Sequence, residues 1–94
     1  MKIDRHNDLL FMNDNYGPFE AYSYTTCLMV RTKNEVYILN VSDYSHTSSK
    51  HLGEVRRALP AKAKIIEVSN IERNSGKDRL LERAAELAEE KLLG

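Results

Sequence analysis

The chain has no tryptophan, one cysteine, two prolines and four glycines in its 94 residues, and its formal net charge at pH 7 is zero. Each scarcity excludes something. A single cysteine, Cys27, forbids an internal disulfide, and its apolar neighbours mark it as a buried thiol. With no cysteine pair and only His6 besides His46 and His51, a zinc centre has too few ligands. Four dispersed glycines rule out a Walker loop, a G-x-G-x-x-G turn and a G-x-S-x-G elbow. Charge neutrality argues against a strongly basic nucleic-acid protein and against an acidic mimic of one. No apolar run approaches the roughly 20 residues of a membrane span. Residues 1–8 are polar and do not read as a signal peptide, so a cytoplasmic location is expected, without membrane attachment.

What the chain does have is enough apolar sequence, 41%, for one domain with a modest core. Residues 8–12, DLLFM, read as a first strand, and the turn residues of NDNYGP (13–18) end it. Residues 19–31, FEAYSYTTCLMVR, are rich in aromatic and β-branched side chains and predict one long strand. Alternation along it puts Tyr22, Tyr24, Thr26, Leu28 and Val30 on one face. After a polar break at 32–34, where Asn34 suits a left-handed turn, EVYILNV (35–41) predicts a hairpin partner. Leu52, Val55 and Leu59 then recur at helical spacing, with Thr47 or Ser48 as N-cap and Pro60 as stop. Residues 61–71 predict another strand. Residues 76–93 predict a second helix whose apolar stripe runs through Leu81, Ala84, Ala85, Ala88 and Leu92, widened by Leu80 and Leu87. The expected order is β-β-β-α-β-α: an α+β domain with a small, mostly antiparallel sheet and helices packed on one face. The wide stripe of the second helix also predicts a homodimer.

The polar stretch between strand and helix is the best candidate site. DYSHTSSKH (43–51) places Ser45, His46, Thr47, Ser48, Ser49, Lys50 and His51 where a helix begins and unpaired amides favour an anion. Arg56 and Arg57 follow, and residues 50–64 hold five Lys or Arg against Glu54 alone. That predicts a nucleic-acid or nucleotide phosphate site. The simpler reading is a capped helix start whose remaining hydroxyls face water. A metal-independent nuclease would use His46 or His51 as base and Lys50 against phosphate charge, but no spacing is diagnostic, and no catalytic residue, metal or cofactor is assigned. Tyr22, Tyr24 and Tyr37 are candidates for contact with a protein partner, the alternative being that they cover the core.

Two motifs in residues 19–59, Ser23-Tyr24-Thr25-Thr26 and Tyr44-Ser45-His46-Thr47-Ser48-Ser49-Lys50-His51-Leu52, resemble those of a small domain found in bacteriophage and plasmid proteins. The sequence departs from that pattern at Ser48, where threonine is expected, and His46 is at a variable position. The resemblance implies a mobile-element origin, with no activity or catalytic residue to carry over. A non-enzymatic interaction protein that binds a host protein, such as a defence or regulatory component, is the expectation. It also implies that the two motifs lie together, with hydroxyls of Thr25 or Thr26 and of Ser45 or Thr47 bonding across neighbouring strands.

Overall fold

The computed structural model describes residues 2–93, with side chains to residue 89. It is an α+β arrangement of β1 (Lys2–His6), β2 (Leu9–Asp14), β3 (Gly17–Ser23), β4 (Thr26–Arg31), β5 (Val36–Asn40), α1 (His46–Ala58), β6 (Lys64–Val68) and α2 (Lys77–Leu93). The strands form one sheet in sequence order. The first five make an antiparallel meander, and β6 joins β5 in parallel, as the helical crossover α1 requires.

The expected order is therefore corrected in two places. Lys2–His6 is a strand that the sequence hides, because its charged residues alternate with little that is apolar. It is held by a hairpin whose turn uses Asn7 at φ 55°, a backbone state Asn tolerates. Residues 19–31 are not one strand but two. The chain reverses at Tyr24-Thr25, so that Ser23 faces Thr26. No Gly, Pro or Asn marks that turn, and the β-branched run continues through it.

The helices do not share a face, which is the third correction. Met29, Tyr37 and Leu39 pack with Val55 and Leu59 of the α1 side. Their strand neighbours Val30 and Ile38 pack with Val68, Ile71 and Leu80 of the α2 side. Alternate residues of β4 and β5 point to opposite faces, so the sheet is a middle layer with one helix on each side. This explains why LMV and YIL are apolar without alternation. A register shift between Ala21 and Tyr22 sets two β4 residues, Cys27 and Leu28, against one of β3 and bends the sheet there.

α1 buries His51, Val55 and Leu59, spaced by four, so the histidine belongs to the packed stripe and Leu52 to its margin. α2 docks through Leu80, Ala84 and Leu87. Leu81 is 38% exposed, Ala85 and Ala88 face outward, and the side chain of Leu92 lies outside the described residues. The packed stripe is thus rotated by about one residue, roughly 100°, from the expected one. Among the described residues no helix is long and apolar enough to cross a membrane.

The outer face of α2 carries an ion-pair network. Arg79 bonds Glu72, Glu82 and Glu86, and Arg83 bonds Glu86. Arg83 first and Arg79 second hold the Glu86 carboxyl below its ordinary value of 4.5. A carboxyl lowered in the folded state adds stability that is fully present above the unfolded value and is lost as pH falls through the folded one. Stability should therefore decline below about pH 4.5, and Glu86→Gln should shallow that decline. Urea unfolding at several pH values checks this; an equal slope for both proteins refutes it.

Candidate functional site

Antiparallel connectivity sorts the turns to two ends of the sheet. The turns β1–β2 and β3–β4, the exit from β5, the start of α1 and the loop after β6 meet at one end, the near end. The turns β2–β3 and β4–β5 and the link from α1 to β6 meet at the far end.

The near end is organised by Asn40. Its side chain is fully buried, and its amide donates to the carbonyl of Cys27 at 3.1 Å and to the Tyr44 hydroxyl at 3.0 Å. Its side-chain oxygen accepts from the N–H of Ser42 at 3.0 Å. Tyr44 in turn donates to the carbonyl of Ile71 at 2.5 Å, and the Ser42 hydroxyl accepts from the N–H of Ile71 at 3.0 Å. The loop after β6 is thereby fixed against the exit from β5. The same loop is fixed to the β3–β4 turn, where the N–H of Asn74 donates to Thr26 Oγ1 at 2.8 Å and Thr25 donates to the Asn74 side-chain oxygen.

The N-cap of α1 is Ser45, two or three residues earlier than expected. Its extended backbone (φ −165°, ψ 168°) turns its hydroxyl to accept from the N–H of Ser48 at 3.2 Å. Ser49 donates to the carbonyl of Ser45 at 3.2 Å. The first turn contains no acidic residue to offset the helix dipole.

The two sequence motifs do meet, but by other bonds than expected. Ser23 Oγ and His51 Nδ1 are 2.6 Å apart and buried, and the Tyr24 ring lies 6.0 Å from the His51 ring, tilted by 48°. The hydroxyls of Thr25 and Thr26 go to Asn74 rather than to Ser45 or Thr47. Between the motifs opens a cleft of about 150 Å3, with Tyr24, Tyr44, Ser45, Ser48, Arg73 and Asn74 on its walls. Arg73 donates to the carbonyl of Tyr44 at 2.7 Å, and its guanidinium carbon lies 5.9 Å from the Tyr44 ring centre. Sequence reading missed Arg73 and Asn74, which sit in a loop with no pattern of their own. It also passed over Asn40, whose signal was visible as one amide in an otherwise apolar strand.

The remaining candidates scatter. His46, Thr47, Ser49 and Lys50 are exposed on the first turn and a half of α1. Arg56 and Arg57 lie at the other end of that helix, roughly 18 Å from Ser45 at 1.5 Å per residue, and Arg56 is paired with Glu67. The basic run of residues 50–64 is therefore two groups at opposite ends. Of the three candidate tyrosines, Tyr24 alone is exposed, at 58%. Tyr37 is buried on the α1 face. Tyr22 is half-buried on the α2 face and donates to Glu20 at 2.7 Å; burial first, then that carboxylate, push its phenol well above the usual range. Burial also pushes the Cys27 thiol up to about 12, leaving it protonated and inert.

Chemically the corner offers hydroxyl, amide and guanidinium donors beside an exposed ring. The Ser23–His51 pair has the atoms of a nucleophile and its base, but Ser23 is 2% exposed, so its oxygen meets a substrate only if the turn opens. Among the described residues no group of three His, Cys, Asp or Glu side chains is placed to hold a metal ion. No protein-family model, curated protein or solved structure matches the chain.

Tyr24 holds its place at a cost. Its φ of 55° is left-handed, at the first position of a two-residue hairpin turn that ordinarily takes glycine. Tyr24→Gly should therefore be more stable than Tyr24→Ala by about 1 kcal/mol, read by urea denaturation; equal stabilities would show that the turn is unstrained.

Proposed function

We propose that the chain is a small non-enzymatic binding module of phage or plasmid type that holds a host protein at the near-end corner. The observation that carries this reading is Tyr24, 58% exposed and kept in left-handed backbone at the lip of the cleft. Tyrosine and arginine are the side chains that dominate protein interfaces, and Arg73 stands across the same cleft. Backbone strain retained at an exposed aromatic fits a role outside the fold itself.

A second reading has its own support. The start of α1 lacks an acidic residue, and Arg73 and Lys50 lie close to it, so the corner suits one phosphate or carboxylate of a ligand. The dispersal of Arg56, Arg57, Lys62 and Lys64 to the far end disfavours a continuous nucleic-acid track through this corner.

Affinity capture from host lysate, with and without nuclease, separates the two. A nuclease-resistant protein partner, lost by roughly tenfold or more with Tyr24→Ala and with Arg73→Ala, supports the first. Recovery of nucleic acid alone, with the shallow salt dependence of a single phosphate contact and with loss on Arg73→Ala, supports the second and sinks the first.

Self-association belongs to the same proposal. Leu81, Ala85 and Ala88 form the outward stripe of α2 on which a second copy packs. Light scattering at tens of micromolar should give a dimer mass that Leu81→Glu reduces to a monomer; a monomer mass for the unaltered chain refutes it.

A further inference from the structure

The far end of the sheet carries a second and larger opening, distinct from the corner just discussed. It measures about 460 Å3 and is walled by Tyr16, Arg31, Asn34, Tyr37, Lys62 and Lys64. These residues come from the β2–β3 turn, the end of β4, the β4–β5 turn, the start of β5 and the segment that brings α1 to β6. None is adjacent to all the others in sequence, so the topology alone assembles them.

Arg31 is the fixed element. Its side chain is 12% exposed, its guanidinium is paired with Asp14, and its guanidinium carbon lies 6.0 Å from the centre of the Tyr16 ring. Asp14 is itself held by the N–H of Tyr16 at 2.8 Å, so the carboxylate, the guanidinium and the ring brace one another. Tyr16 is 82% exposed, which leaves ring surface free beside the anchored cation. Lys62 and Lys64 have no carboxylate partner among the described residues. Glu35 is the one carboxylate on the wall against Lys62 and Lys64, Arg31 being already paired with Asp14. The carbonyls at the end of α1 are negative, but Arg57 in its last turn offsets them, Arg56 being paired with Glu67.

Size and chemistry together narrow the ligand. The opening falls within the range of about 300–1,000 Å3 typical of ligand clefts and is far larger than a bare anion fills. Its charge favours an anion, and Tyr16 offers a stacking surface that an inorganic anion does not use. The Lys62 and Lys64 ammonium groups on its walls favour a charged ligand over an uncharged lipid chain. We propose that the far-end cleft binds the ring-and-phosphate unit of a nucleotide, the ring on Tyr16 beside Arg31 and the phosphate between Lys62 and Lys64. A free nucleotide and a nucleotide within a single strand share this chemistry.

The test is a titration of isotopically labelled protein, followed by amide chemical shifts, with AMP, adenosine, inorganic phosphate and a short oligodeoxyadenylate in turn. The expected result is saturable movement of Tyr16, Arg31, Asn34 and Lys64 with AMP at about millimolar concentration or below. Adenosine and phosphate alone should bind more weakly than AMP. Tyr16→Ala should weaken AMP by about fivefold to tenfold while leaving phosphate unchanged, and Lys62→Ala with Lys64→Ala should weaken both. Oligonucleotide binding tighter than AMP assigns the site to single strands; equal binding assigns it to free nucleotide. The proposal is overturned if AMP moves no far-end amide, if the shifts fall only on Ser45–Ser48, or if the variants bind AMP as the unaltered chain does. Of these outcomes, only shifts confined to Ser45–Ser48 bear on the near-end corner, where they favour its phosphate reading.

Discussion

Asn40 is the residue on which the arrangement of the near end depends. A primary amide buried without partners costs several kcal/mol on the scale of apolar transfer, roughly 2–7, so its bonds are made together or the segment does not settle. Here one side chain reaches the backbone of β4, the hydroxyl of Tyr44 and the N–H of Ser42. That fixes the direction in which the chain leaves β5, and hence where α1 begins. Through Tyr44 and Ser42 it also fixes Ile71, and with it the loop that leads into α2. A single polar position in an apolar strand thus aligns two helices that never touch the same face of the sheet.

The two layers outside the sheet do different work. α1 is bound by a short apolar stripe and one imidazole–hydroxyl contact, and its first turn stays wet and hydroxyl-rich. α2 seals the other face with Leu80, Ala84 and Leu87 and turns charged residues outward. The unusual backbone states fall at the rims: Tyr24 at the near cleft and Glu35, with φ 62°, at the far one. Both are left-handed without being glycine or asparagine, while the other non-glycine residues in that state among the described residues are all asparagines. Strain has been tolerated only where the surface is concave.

The sequence spoke clearly where pattern and burial agree. Both helices appeared from their periodicity, and β5 from its apolar run. It was silent where a residue does something its type does not advertise. Tyr24 turns the chain without a turn residue's flexibility, so two strands looked like one. β1 is exposed along its whole length, and a strand with no buried side has no alternation to read. The face of α2 was misplaced because alanines score as apolar whether or not they are covered; Ala85 and Ala88 are not. The polar stretch 43–51 was rightly located as a strand-to-helix corner, but the residues that complete its cleft, Arg73 and Asn74, come from a loop some thirty positions later. Proximity of that kind is a property of the sheet and leaves no mark on either segment.

The parallel placement of β6 also bears on how the chain assembles. Strands β1 to β5 meet their neighbours through short turns, and such pairings close at small entropic cost. Val36 meets Lys64 only after the whole of α1 has been laid down. The meander is therefore free to form first, with the outer edge of β5 bare and its Tyr37, Ile38 and Leu39 uncovered by β6. During that interval β5 is an apolar strand with an open hydrogen-bonding edge, the kind of template on which another unfinished chain can add itself. The crossover helix sets the pace at which that edge is closed, and the yield of correctly folded chain should fall with concentration during refolding more steeply than a simple meander's would.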